Sequence, residues 1–502
     1  MKTSLSVWFP LAIFAVAAEA KYQTFQSRFD GNNSVRIKEH QDGELCNGGS
    51  KHYTGWVDIG DEHLFFWYHP QRHGKPDAPL AIWLQGGPGG TSMAGAFIEN
   101  GPCLFSNETN STYYNPHSWT EEFHMLYLDQ PVPVGFSYAG GNLTDDLLPG
   151  RAEKSAIDFL TAVLLIYEAF SGVYFAALTP LHLSGESYAG RYLPVYADAI
   201  VDYNSRVAPS DRIPLRSVMV GNGYTSPKHL FPSFYETACF EVHGIPAILN
   251  ETQCAHIEAA VDRCELLLEA CVSSGDEIIC HAGGEFCQEA IMDPITQSGS
   301  NAYDRTMKCP EGSCYPHFKN VIDWFNSAEV QEALEIVDQT GRAANVSLQK
   351  ESVTDRFKAS GDIWMSSMPY MERVLQSDQV DVLYYTGIND IVCNSIGVLR
   401  TVMDLKWRGH AKFVATPMVP VSWTLQDGSN GGRMKQNGRL TAAELYGGGH
   451  VYPMDQPAAS LKMVQAWLSE IDFQTKTIAS ARRFGKPRSQ KTISIVATPQ
   501  EL

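Results

Sequence analysis

The chain has 502 residues and a formal net charge of −18. That charge excludes the polyanion binders, since neither nucleic-acid phosphates nor an anionic membrane surface finds a compensating basic face. The length allows a sizeable core in two or three ordinary domains, or in one large domain carrying insertions.

Residues 1–20, MKTSLSVWFPLAIFAVAAEA, join Lys2 to an apolar run and a small-x-small triplet, Ala18 to Ala20. This is the pattern of a cleaved secretory signal, which starts the mature chain near Lys21. No later apolar run approaches the roughly 20 residues a bilayer helix needs, and the tail over 479–502 is too polar for a lipid-anchor signal. Stable membrane insertion is therefore not expected, and the destination reads as secreted or vacuolar. Sequons at Asn32, Asn107, Asn110, Asn142, Asn250 and Asn345 fit an exported glycoprotein. Eleven cysteines in an oxidising compartment predict disulfides with one thiol left over, and eight of them lie between Cys239 and Cys314.

In chain order, YTGWVDI (53–59) and HLFFWYH (63–69) read as a hairpin. Short apolar runs then follow, PLAIWL (79–84), HMLYL (124–128), LHLS (181–184), RSVMV (216–220) and DVLYYT (381–386), most ending at Gly-, Pro- or Asp-containing turns. They read as buried parallel strands. Helical spacing appears at Tyr192, Val195, Tyr196, Ala199 and Ile200, and again at Leu461, Val464, Leu468 and Ile471. The alternation predicts an α/β fold on a mostly parallel sheet. The cysteine-rich stretch breaks this rhythm and reads as a cap inserted over 226–351 between two parts of one core, 21–225 and 352–478.

The run LSGESYAGRY (183–192) places Ser187 between a strand and a helix, with Gly185 and Ala189 close by. A nucleophile elbow needs that context, because a tight turn exposes the hydroxyl while the following N–H points at the developing oxyanion. Asp390 follows DVLYYT at a strand end, and His450 stands in a glycine-rich loop before a helix. The order Ser, Asp, His is the one such a fold uses. His450 would take the Ser187 proton, and Asp390 would hold the imidazole tautomer. Asp455 also sits near His450, but a strand end is the more rigid mount, and Asp455 is too close in sequence to face the imidazole easily. Neither assignment is unique from the residues alone, since the chain has fifteen histidines.

Together AIWLQGGPGG, LYLDQPVPVGFSYAGG, LSGESYAGRY, VGNGYTSP, WFNSAEVQEAL, YYTGINDIVCNSIG and GGGHVYPMDQP resemble, in order, the blocks of the serine carboxypeptidases, above all secreted fungal members of the carboxypeptidase Y-like group. The resemblance implies an α/β-hydrolase fold with a disulfide-rich helical insertion, the triad Ser187, Asp390 and His450, no cofactor and no metal. Peptide and protein C-termini would be the substrates. It also carries recognition of the terminal carboxylate onto Gln85, Gly86, Glu99 and Glu186. Two glutamates bind an anion if one stays protonated, so acid pH would favour peptide cleavage. The backbone N–H groups of Gly87 and Tyr188 would form the oxyanion hole.

Three positions depart from the family. Gln85 replaces the usual Asn, adding a methylene at the carboxylate site. Gly90 replaces a cysteine common in part of the family, and Ile388 replaces an acidic residue. The resemblance implies the pairs Cys239–Cys254, Cys264–Cys287, Cys271–Cys280 and Cys309–Cys314. Cys46–Cys103 would then remain as a fifth pair, with Cys393 as a free thiol near the site. An acyltransferase on the same scaffold and a catalytically silent homologue are the alternatives. Retention of Glu99 beside Glu186 favours peptide-end recognition over acyl transfer.

Overall fold

The computed structural model describes residues 22–469, apart from 142–143, 145–146, 310–314 and 337–343, together with 471–472 and 477–478. The signal sequence, Asn142, Cys314 and the polar tail lie outside the described residues.

Strands β1 (Gln23–Gln26), β2 (Asn33–His40), β3 (His52–Ile59) and β4 (Glu62–His69) form an antiparallel ribbon. Next come β5 (Leu80–Leu84), a separate hairpin of β6 (Cys103–Ser106) and β7 (Ser111–Tyr114), β8 (His124–Leu128) and the short β9 (Tyr138–Ala139). Helix α1 (Ala152–Phe170) precedes β10 (Leu181–Ser187), α2 (Ala189–Arg206) and β11 (Leu215–Gly223). The chain returns to the sheet at β12 (Asp381–Gly387), then β13 (Val419–Pro420), β14 (Gly432–Asn437) and β15 (Leu440–Leu445). The 13-stranded sheet has the order β1-β2-β3-β4-β8-β5-β10-β11-β12-β15-β14-β13, with β9 on β4. From β8 to β15 every neighbour in this order is parallel.

The five apolar runs became these central parallel strands because helices cover both faces, which makes an uninterrupted hydrophobic run favourable. Within β5 the two-residue period still sorts side chains: Leu80, Ile82 and Leu84 enter the core shared with α1 and α2, while Ala81 and Trp83 enter the opposite one. Strand β2 was not evident in sequence, for its burial alternates and Arg36 and Lys38 interrupt it. The last helix runs Pro457–Leu468, so Ile471 falls beyond the helical stripe assigned to it.

The segment between β11 and β12 is helical, with α3 (Pro227–Cys239), α4 (Glu251–Ser274) and α5 (Glu277–Cys287) leading. Two nested disulfides, Cys264–Cys287 and Cys271–Cys280, staple α4 to α5, and Cys239–Cys254 ties α3 to α4. Cys46–Cys103 joins the loop after β2 to β6. Cys309 is also disulfide-bonded. Cys393 is the free cysteine among the described residues, and it is buried. Thiol titration of the denatured, unreduced protein is expected to find one reactive group; three would show that one of the five pairs is open.

Asn32, Asn107, Asn110, Asn250 and Asn345 are exposed. Among the described residues, no helix is long and apolar enough to cross a membrane.

Candidate active site

In an open parallel sheet, functional groups collect beyond the carboxyl ends of the strands, where loops leave the sheet together. Here Gln85 follows β5, Ser187 ends β10, Asn222 lies at the end of β11, Asp390 follows β12 and His450 follows β15. Five distant chain segments thus meet at one edge.

Ser187 has φ 61°, a left-handed conformation that costs energy for a serine. Glycines make the turn possible. A Cβ on Gly185 would lie 2.2 Å from the Leu84 carbonyl oxygen, and one on Gly190 would lie 2.5 Å from Tyr224 N. At Gly86 a Cβ would approach Tyr188 N to 2.4 Å and Ser187 Cβ to 2.6 Å, so the loop after β5 is packed directly on the elbow. The N–H groups of Gly87 and Tyr188 donate no hydrogen bond among the described residues. Gly86→Ala is expected to lower kcat roughly tenfold to a hundredfold by displacing these donors. Steady-state kinetics at unchanged Tm would check it.

Asp390 is buried, and its Oδ2 accepts hydrogen bonds from His450 Nδ1 at 2.7 Å, Asn222 Nδ2 at 2.9 Å and Cys393 N at 3.2 Å. Asn222 is locked in turn by the Gly387 N–H, which donates to its Oδ1 at 3.0 Å. His450 is held from both sides of its loop. Its own N–H donates to the Tyr303 carbonyl at 2.8 Å, and the neighbouring Gly449 N–H donates to Asp455 Oδ2 at 2.7 Å. Asp455 therefore shapes the histidine loop and does not face the imidazole. Burial pushes its carboxyl up to about 6.

Ser187 and His450 open onto one cavity of about 580 Å³ that also contains Gln85, Gly86, Gly87, Glu99 and Glu186. Glu99 closes a π-helical turn, Gly95–Glu99, whose first residue packs on Trp83 with no room for a side chain. Glu99 and Glu186 are each 2 % exposed and interact directly, an arrangement that favours a proton shared between the two carboxyls. Burial drives both carboxyls upward, Glu99 to about 8, and for Glu186 the Glu99 charge adds to the rise. Gln85 is fixed at both ends of its amide: Nε2 donates to Glu186 Oε1 at 2.8 Å, and Oε1 accepts from Trp83 Nε1 at 2.9 Å. The cavity is also lined by the apolar side chains of Tyr315, Phe318, Ile322 and Leu348.

Asp390, Cys393 and His450 also bring three potential metal ligands within 4.8 Å of one another. Carboxylate Oδ2 and imidazole Nδ1 are already committed to each other there. The Cys393 thiol is kept protonated by burial and by the charges of Asp390 and Glu186.

Sequence reasoning assigned no role to Trp83 or Asn222, although both stood in quoted motifs. Asn222 could have been found by the signal that marked Asp390, a polar residue at the end of an apolar strand. The Trp83 bond to Gln85 has no comparable signal, since an alternating strand residue reads as core.

A serine on such an elbow, with aspartate and histidine delivered from later strand ends, is the arrangement of the α/β-hydrolase fold, and the comparisons with known proteins narrow the class. The chain belongs to the serine carboxypeptidase family, whose pattern it matches over residues 45–470. It is 34% identical over 444 residues to carboxypeptidase Y homolog A of Uncinocarpus reesii, covering 87% of this chain and 78% of that protein. The homolog A of Coccidioides posadasii is likewise 34% identical, over 442 residues, with 86% and 77% covered. Among solved structures, Kex1Δp, a prohormone-processing carboxypeptidase from Saccharomyces cerevisiae, superposes with a TM-score of 0.71 at 25% identity, covering 88% of this chain and 92% of that one. The protein is a serine-type carboxypeptidase by family, with an α/β-hydrolase core.

Proposed function

We propose that this is an exported carboxypeptidase that removes the C-terminal residue of peptides and proteins through an acyl-enzyme, at any pH low enough to keep a proton on the Glu99–Glu186 pair, with Ser187, His450 and Asp390 as its triad. The observation that carries the reading is the shared cavity: the serine and imidazole open onto the same space as a buried, proton-sharing carboxyl pair.

The side chain of the terminal residue occupies the cavity, and its carboxylate accepts hydrogen bonds from the protonated Glu99–Glu186 pair, the Gln85 amide and the Gly86 N–H. Ser187 Oγ attacks the scissile carbonyl carbon while His450 takes its proton. The carbonyl oxygen becomes an oxyanion facing the Gly87 and Tyr188 N–H groups. Collapse breaks the C–N bond, and the imidazolium returns the proton to the leaving amine. Water then attacks the acyl-serine, giving its proton to His450, and the free peptide acid leaves with Ser187 regenerated. The Asp390 charge stabilises the imidazolium at both stages.

The extra methylene of Gln85 leads to a further expectation. Gln85→Asn changes KM for peptide acids several-fold more than for the same peptides ending in an amide, and equal effects on both would refute carboxylate contact. The overall reading is tested with a blocked dipeptide. Release of the free C-terminal amino acid, abolished when a phosphonate labels Ser187, supports it. Transfer of the acyl group to an added alcohol without hydrolysis would identify an acyltransferase, and absence of labelling would identify a silent homologue.

A further inference from the structure

The strained elbow raises a question that the triad leaves open: what holds Ser187 at a positive φ and keeps Tyr188 N–H aimed beside Gly87? Strain of this kind persists only where the surroundings over-determine it. Beneath the elbow, Tyr188 and Arg191 stand three residues apart, on one face at the start of α2. Both converge on Asp362, in a 3₁₀ turn spanning Asp362–Trp364. Asp362 Oδ2 accepts from the Tyr188 hydroxyl at 2.5 Å and from Arg191 Nε at 3.3 Å. Its Oδ1 accepts from Arg191 Nη2 at 2.8 Å and from the Ala152 N–H at 3.3 Å. Arg191 Nη2 also reaches Glu153 Oε1 at 2.5 Å, and that oxygen accepts from Tyr370 OH at 2.6 Å. Asp362, Arg191 and Tyr188 are all buried.

The network therefore spans the first turn of α1, the first turn of α2 and the 3₁₀ turn, and it grips the residue that follows the nucleophile by its side chain. Ring packing against Tyr192 and Phe357 leaves the Tyr188 ring little lateral freedom, with centroids 5.1 and 6.0 Å away. The hydroxyl bond then fixes its depth. Because the Gly86 backbone is seated on Tyr188 N with no space for even a methyl group, a small displacement of Tyr188 moves both oxyanion donors at once.

We propose that Asp362 is a positioning residue for the oxyanion hole, acting through the Tyr188 hydroxyl and the Arg191 guanidinium. This rests on the serine hydrolase chemistry of the proposed function.

The test uses Tyr188→Phe, which removes the hydroxyl and keeps the ring, with Asp362→Asn as the second variant. Each is measured against a peptide aldehyde and the matching unreactive alcohol. With the aldehyde, Ser187 Oγ bonds to the carbonyl carbon and its proton passes to His450, so the former carbonyl oxygen carries the charge that the hole must bind; the alcohol forms no such adduct. Tyr188→Phe is expected to lower kcat about tenfold at unchanged KM and to weaken the aldehyde by a similar factor, while the alcohol affinity stays within twofold. Asp362→Asn should move the same quantities in the same direction, further. A merely structural role would lower Tm and leave the ratio of aldehyde to alcohol affinity untouched, and that result overturns the proposal. The two failures separate. A wild-type chain that cleaves amino-acid esters but no peptide end refutes the exopeptidase reading, while the aldehyde-to-alcohol ratio still decides the role of Asp362.

Discussion

Replacing Asp390 by Asn is expected to lower kcat about 10³-fold with KM nearly unchanged, a smaller loss than the roughly 10⁴-fold that accompanies a reversed imidazole tautomer. The difference comes from the donors around the carboxylate. His450 Nδ1, Asn222 Nδ2 and Cys393 N all point at Oδ2, whereas Oδ1 has no hydrogen-bond partner among the described residues. An amide at this position places its carbonyl oxygen among the three donors and its NH₂ where Oδ1 lay. The imidazole then keeps its proton on Nδ1 and its free Nε2, so the orientation survives. The negative charge that stabilises the imidazolium is lost, and with it the transition-state contribution. Single-turnover acylation kinetics separate this from a binding defect. A fall below tenfold would show that the pair does not serve the chemistry.

Raising the pH is expected to abolish peptide-acid cleavage selectively, with about a 10²-fold fall in kcat/KM between pH 8 and 10 that C-terminal amides do not share. The cause is the carboxyl pair. With Glu99 pushed up to about 8 and Glu186 displaced in the same direction, the pair holds its proton through acid and neutral pH. Once that proton leaves, two carboxylates confront a third on the substrate. Glu99→Gln supplies a permanent donor and should flatten this alkaline limb. If acids and amides lose activity in parallel, the pair does not read the chain terminus.

The same shifts act on folding. A carboxyl of the unfolded chain ionises near 4.3, while Glu99 does so in the folded protein only near about 8. Between those values the folded state holds a proton that the unfolded state has released. Stability therefore falls as pH rises through this window, by about 1.4 kcal/mol per unit for one such group. Glu62, Asp129, Asp158 and Asp455 are raised as well, chiefly by burial. Buried histidines oppose this at the acid end. His52 and His182 resist protonation down to about 3 and His124 down to about 4, whereas unfolded histidines take up protons below about 6.5. Their effect removes stability as pH falls from 6.5. The two slopes offset each other between about 4.5 and 6.5 and stand alone outside it. Urea midpoints measured from pH 3 to 9 are expected to plateau in that acid interval, and a maximum at pH 8 would contradict the assignment.

The features legible in the linear chain were those created by near neighbours. An apolar run bounded by turn residues marks a buried strand from β5 to β12, because parallel strands are covered on both faces and need no alternation. The G-x-S-x-A turn marks the elbow, since its glycine and alanine are required by contacts within that turn and with the adjoining strand. The polar residues just past the end of DVLYYT made Asp390 a candidate for the same reason, without making it unique. Strands β2 and β14 escaped notice, as an antiparallel ribbon with one partly exposed face carries charges such as Arg36 and Arg433 inside the strand.

What depended on the assembled molecule was the contact between distant segments that no motif joins. Tyr188 and Asp362 lie 174 residues apart in the chain, and Asn222 and Asp390 lie 168 apart. No periodicity links such pairs; their proximity follows from the strand order β8-β5-β10-β11-β12-β15, which brings five loop mouths to one edge. Burial belongs to the same level. Glu99 and Glu186 are ordinary acids as letters in a sequence, and they become a proton-sharing pair because packing removes the water that would let both ionise. Residue type and local turn chemistry singled out candidate groups, while distance and desolvation, which arise only in three dimensions, set what those groups can do.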